Sequence, residues 1–191
     1  QELGRLDDAV KSYEKAIAIQ PDYAEAHNNL GVTLKELGQL DAAVECYKKA
    51  MVTQPDYAEA HNNLGIVFQK LGQVDAAVES YKKALAVDPD YAEVNYNLGN
   101  AFLELGQLDD AVKSYEKAIA TQPDYVEAHN NLGSIFMELG QMDDAVKSYE
   151  KALALKPNDA DGYNKLGIVY MELDQTDVAL KCYKKALALN P

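Results

Sequence analysis

Apolar residues recur at helical spacing from the first turns of the chain. Leu6, Val10, Tyr13 and Ile17 fall three or four residues apart within LDDAVKSYEKAIAIQ, the signature of an amphipathic helix. Pro21 ends that helix, because a helix interior tolerates neither the missing amide hydrogen nor the ring. A new amphipathic stretch begins at once, and from there the whole pattern repeats. All six prolines, Pro21, Pro55, Pro89, Pro123, Pro157 and Pro191, stand 34 residues apart. Such a period predicts a solenoid of helix-turn-helix units, in which no unit buries its apolar face alone and stacked neighbours make the core.

The period divides the 191 residues into a partial unit, 1–23, which supplies the end of one helix and a complete second helix, and five units. These are 24–57, 58–91, 92–125, 126–159 and 160–191, the last two residues short. A solenoid has no single core, so the array counts as one quasi-linear domain. The chain starts inside a first helix and stops on a proline that would introduce another unit, so it reads as part of a longer protein. Ends cut in this way expose apolar surface, and end-to-end association is expected.

Each unit carries the same punctuation. Asp22 with Glu25, Asp56 with Glu59, Asp90 with Glu93 and Asp124 with Glu127 have the spacing of a capping box, weakened in the last unit to Asn158 with Asp161. An LG pair follows at Leu30-Gly31, Leu64-Gly65, Leu98-Gly99, Leu132-Gly133 and Leu166-Gly167. Glycine inside a helix costs about 1 kcal/mol relative to alanine, so five in register imply close approach of a neighbouring helix. Ala43, Ala77, Ala111, Ala145 and Ala179 are the expected partners. A turn glycine then recurs at Gly38, Gly72, Gly106 and Gly140, with Asp174 in its place in the last unit.

The LG pair, the second-helix alanine and tyrosine, and the closing proline together resemble the tetratricopeptide repeat family over the whole chain. In Ala24 to Tyr57 these are Leu30, Gly31, Ala43, Tyr47, Ala50 and Pro55. The resemblance implies an all-α fold, a right-handed α-solenoid superhelix of antiparallel helix pairs. One departure is that the family's frequent large aromatic early in the first helix is replaced by His27, His61, Asn95, His129 and Tyr163.

Net charge narrows the partner class. At −13, with Arg5 the only arginine, the chain lacks the basic face that nucleic acid or anionic membrane requires. No run of 18 apolar residues marks a membrane span. Cys46 and Cys182 occupy equivalent places four units apart, too far for a disulfide, and read as reduced packing residues, consistent with the cytoplasm. The three histidines are separated by at least one unit, so no metal site and no cofactor is expected. No HExxH, CxxC, GxSxG or GxxxxGK motif occurs, and the carboxylates recur in every unit as surface residues do. The chain is expected not to be an enzyme.

One feature rises above the scaffold. Immediately before each LG pair stand Asn28-Asn29, Asn62-Asn63, Tyr96-Asn97, Asn130-Asn131 and Asn164-Lys165. A carboxamide offers one acceptor and two donors, which suits gripping a peptide backbone with little regard to its side chains. The alternative is that asparagine here bonds to backbone at a helix junction. The AHNNLG runs at 26–31, 60–65 and 128–133 also resemble the repeats of O-linked N-acetylglucosamine transferase, which implies an asparagine ladder along a concave groove. Glu25, Glu59, Glu93, Glu127, Asp161, Glu36, Glu104, Glu138 and Glu172 share the expected groove face with Lys35, Lys70 and Lys165. That balance favours a neutral to basic extended segment, although the first five acids also serve the expected capping boxes. Tyr96, Leu103, Met137 and Met171 add apolar contact. The expectation is a protein-interaction scaffold that binds extended peptides. Two alternatives are the substrate-targeting arm of a larger glycosyl-, sulfo- or methyltransferase, and a self-assembling scaffold.

Overall fold

The computed structural model describes residues 2–190, with side chains from residue 5 onward. Among the described residues there are eleven α-helices and no strand. They are α1 (Glu2–Ile19), α2 (Ala24–Glu36), α3 (Leu40–Thr53), α4 (Ala58–Lys70), α5 (Val74–Val87), α6 (Ala92–Glu104), α7 (Leu108–Thr121), α8 (Val126–Glu138), α9 (Met142–Leu155), α10 (Ala160–Glu172) and α11 (Thr176–Leu189). The chain forms two compact units, Gln1–Gln107 and Leu108–Pro191, divided between the two helices of the 92–125 repeat. Within each, every helix packs on its neighbours in sequence, and in the first unit α2 also touches α4, and α4 touches α6.

Turn chemistry fixes the hairpins. Gly38, Gly72, Gly106 and Gly140 take φ between 71° and 75°, a region open to glycine at little cost. At the first of them Gly38 N–H donates to Lys35 O at 3.1 Å and Gln39 N–H to Leu34 O at 2.8 Å. These two bonds satisfy carbonyls that the helix end leaves unpaired. Asp174 adopts φ 57° at the equivalent place with the same bond pattern. By contrast α1 runs unbroken through Gly4.

Two expectations are corrected. The capping boxes do not form, because α2, α4, α6 and α8 begin one residue later than that register needs. Their N-caps are Tyr23, Tyr57, Tyr91 and Tyr125, none with a side-chain cap bond. Only α10 is capped among the first helices, by Asp159 accepting from Gly162 N–H at 3.2 Å. Nor do the LG glycines face the alanines. A Cβ on Gly31 would lie 2.6 Å from Cε1 of Tyr47, and the same clash joins Gly65 to Tyr81, Gly133 to Tyr149 and Gly167 to Tyr183. The glycine makes room for a tyrosine ring on the paired second helix. Tyr47, Tyr81, Tyr115 and Tyr149 are fully buried, as are the five alanines, which close the hairpin beside them.

Candidate functional site

The first helices of the first unit, α2, α4 and α6, present the asparagine positions in register. Successive helices are joined there by carboxamides. Asn63 Nδ2 donates to Asn28 Oδ1 at 3.1 Å, and Asn97 Nδ2 to Asn62 Oδ1 at 3.1 Å. Asn28 Nδ2 in turn donates to Glu59 Oε1 at 3.1 Å. The two residues of each Asn-Asn pair therefore differ in role. Asn28 is 0% and Asn62 2% exposed, so both belong to the joint between repeats. Asn63 is also buried, at 7%, whereas Asn29 and Asn97 are half-buried. The Asn29 carboxamide makes no hydrogen bond among the described residues.

Around this row lie the charges. Glu25, Glu59, Glu93 and Glu104 are exposed, and with no capping boxes their carboxylates are not consumed by helix ends. Gln69 Nε2 donates to Glu104 Oε2 at 3.1 Å while its Oε1 accepts from the Tyr81 hydroxyl at 2.8 Å. Burial pushes the Tyr81 phenol up from its ordinary value, and the carboxylates of Glu93 and Glu104 add to this. The Lys35 ammonium is held below its usual value, first by burial and then by repulsion from Lys70. The Tyr47 hydroxyl is buried without a partner. Tyr96 is half-buried.

In the second unit the positions are filled differently. Asn131 Nδ2 donates to the Tyr115 hydroxyl at 3.1 Å, and Ser134 and Tyr149 share a hydrogen bond of 2.9 Å. The joint bond between successive first helices is missing here. Lys165 replaces the donor asparagine and pairs with Asp161 Oδ2 at 2.7 Å, leaving Asn130 Oδ1 buried and unpartnered. Asn164, Glu127, Glu138 and Met171 are exposed, and Met137 packs partly into the core. The tyrosine hydroxyls and their partners Gln69 and Ser134 escaped the sequence reading. The two partners hold different positions in their repeats, four residues and one residue after the LG glycine, so no periodic signal marked them.

The replaced aromatic position also has a role. His27 Nε2 donates to the Pro21 carbonyl at 2.8 Å, His61 Nε2 to Pro55 at 2.9 Å and His129 Nε2 to Pro123 at 3.1 Å. Asn95 Nδ2 reaches Pro89 O at 3.4 Å. These side chains tie each first helix to the loop before it. Both cysteines are buried free thiols whose pKa is raised by burial, which keeps them unreactive. Among the described residues no group of three His, Cys, Asp or Glu could hold a metal, and no helix is long and apolar enough to cross a membrane.

Helix hairpins of this length, stacked so that first helices present one polar face, define a helical-repeat binding scaffold. Sequence comparison agrees: residues 2–38, 33–72 and 68–106 match the TPR repeat family, and residues 96–160 and 160–191 match tetratricopeptide repeat families. The chain belongs to the tetratricopeptide repeat family. A comparison with curated protein sequences gave no significant match. Among solved structures, MamA is similar at 31% identity, with a TM-score of 0.80 over 84% of this chain and 94% of that one. YrrB, described as a TPR protein with an unusual peptide-binding site, shares the fold at 23% identity and a TM-score of 0.82, over 95% and 94%. PilF of Pseudomonas aeruginosa is 25% identical with a TM-score of 0.77, over 88% and 77%.

Proposed function

We propose that this repeat scaffold binds an extended peptide segment, neutral to basic in charge, along the first-helix face of α2, α4 and α6. The observation that carries the reading is the register of Asn29, Asn63 and Asn97. The inter-repeat bonds of Asn63 and Asn97 each use one amide hydrogen, and a carboxamide has further donor and acceptor capacity. The buried members, Asn28 and Asn62, orient the ladder, and the half-buried Asn29 extends it. Glu25, Glu59, Glu93 and Glu104 select against acidic segments. In the second unit Asn130, Asn131, Asn164 and Lys165, with Glu127, Glu138, Met137 and Met171, offer a less regular version of the same surface. Two supports are the asparagine ladder implied by the resemblance to the transferase repeats and the peptide site that the same fold hosts in YrrB.

Asn29→Ala gives the cleanest test, because removing Asn63 also strips Asn28 Oδ1 of its donor inside the joint. A peptide selected from a random library on the parent protein is titrated against both forms. Loss of one or two hydrogen bonds of about 0.5 to 1.5 kcal/mol each weakens capture several-fold with an unchanged melting curve. Equal affinity for parent and Asn29→Ala removes the ladder from the binding account.

A further inference from the structure

The first unit carries two slots that the ladder does not use, one lined from α1, α2 and α3 and the other from α3, α4 and α5. One, about 390 Å³, is lined by Ile17, Pro21, His27, Lys49, Val52 and Thr53. The other, about 410 Å³, includes Met51, Val52, His61, Leu64 and Lys83 in its walls. They are the same place in successive repeats, since Ile17 and Met51, His27 and His61, and Lys49 and Lys83 each differ by one 34-residue period.

Their origin lies in the departure already noted. A histidine stands where a large aromatic is frequent, and the smaller ring leaves space between successive second helices. The fit is incomplete at His61 in a second way. With Nε2–H committed to the Pro55 carbonyl, Nδ1 is left as a buried acceptor with no partner. Val52, common to both slots, is 84% exposed, an apolar side chain standing in water at the rim they share.

The charge around the slots runs against that of the chain. In the later turns of α1, α3 and α5 lie Lys15, Lys48, Lys49, Lys82 and Lys83 against Glu14, Glu45 and Glu79. Glu45 is paired with Lys48 at 3.0 Å and Glu79 with Lys82 at 3.2 Å. Lys49 and Lys83, one at each slot, are exposed and make no ion pair among the described residues. Every charged residue that lines either slot is a lysine, Lys49 at the first and Lys48 and Lys83 at the second, and on a protein of net charge −13 that lining marks the partner's sign.

We infer that the paired slots form a second docking surface for an acidic peptide segment, which seats two apolar side chains in them and sets its carboxylates against Lys49 and Lys83. The slots recur with the 34-residue period, so an extended segment laid across the second helices can present one apolar side chain to each. The surface is opposite in polarity to the ladder face, so one chain can hold a basic and an acidic segment at once.

The test uses the whole chain and a fluorescein-labelled octapeptide, Glu-Glu-Leu-Glu-Glu-Leu-Glu-Glu, followed by fluorescence anisotropy. Saturable binding is expected. Lys49→Glu with Lys83→Glu should weaken it by about tenfold or more, as charge reversal does at a complementary surface. Val52→Ser, at an exposed site that leaves the fold intact, should weaken it by about fivefold through lost apolar contact. Lys70→Glu, on the ladder face and equal in charge to the reversal of either slot lysine alone, should leave it within about twofold. No saturable binding by the parent chain overturns the proposal. Equal losses for Lys70→Glu and either slot lysine also overturn it, since binding would then follow net charge, and so does full retention by Val52→Ser. None of these outcomes bears on the ladder, whose test is Asn29→Ala.

Discussion

The tightest joint within a repeat is glycine against tyrosine, and Gly65 tests it best. A Cβ there would sit 2.5 Å from Cε1 and 2.7 Å from Cδ1 of Tyr81, where carbon atoms prefer about 3.5 to 4.0 Å. The ring would have to retreat by about 1 Å to reach that range. It has nowhere to go, being fully buried with its hydroxyl bonded to Gln69 at 2.8 Å. Gly65→Ala therefore meets two opposed terms, a helix-propensity gain of about 1 kcal/mol and an overpacking loss of about 1 to 3 kcal/mol. The net change in the parent is small to clearly unfavourable. In a Tyr81→Ala background the clash is gone and only the gain of about 1 kcal/mol remains. The coupling between the two sites in a double-mutant cycle, read from urea denaturation by circular dichroism, should then be about 1 to 3 kcal/mol. Gly65→Ala stabilising both backgrounds equally would refute the close approach.

Two further outcomes follow from the same packing. Lys165→Asn restores the donor that Asn130 Oδ1 lacks. Relief of a buried unsatisfied acceptor, about 1 to 3 kcal/mol, outweighs the exposed Lys165–Asp161 pair, about 0 to 1 kcal/mol, so the urea midpoint should rise, and a fall contradicts the reading of the joint. Alkali should unfold the protein between pH 10 and 12. The Tyr170 hydroxyl is pushed from 10.0 up to about 12 by burial and by its bond to Glu150, and Tyr47, Tyr81 and Tyr149 are raised by burial as well. The native state keeps protons that the unfolded chain sheds above pH 10, so stability is whole below that value and falls as pH climbs through the native values. Tyrosinate absorbance appearing together with loss of helicity is the expected signal, and full ionisation with helicity intact would contradict it.

What was legible in the sequence is what local chemistry decides. The 34-residue period, the proline stops and the turn glycines each act within a few residues of themselves, and the helix pairs and positive φ values follow directly. The capping boxes failed by one residue, because Asp22 and its counterparts sit a position too early for helices that begin after tyrosine. The partner of the LG glycine is a fact of packing between helices, and sequence spacing could not choose between Ala77 and Tyr81. The asparagine row was visible, but adjacent residues on a helix are only about 100° apart. Only the placement of α2 against α4 shows that Asn28 is sealed in the joint by Asn63 and Glu59. The break at Lys165 could be read from the chain, and its consequence for Asn130 needed the Asn63–Asn28 bond as a template.

The most direct test of the binding account is NMR chemical-shift mapping of the whole chain during titration with a library-selected basic peptide. The account predicts that perturbed amides cluster on α2, α4 and α6 around Asn29, Asn63 and Asn97. Perturbations confined to the second helices α3 and α5, or a binding peptide that leaves α2 and α4 unmoved, would contradict it.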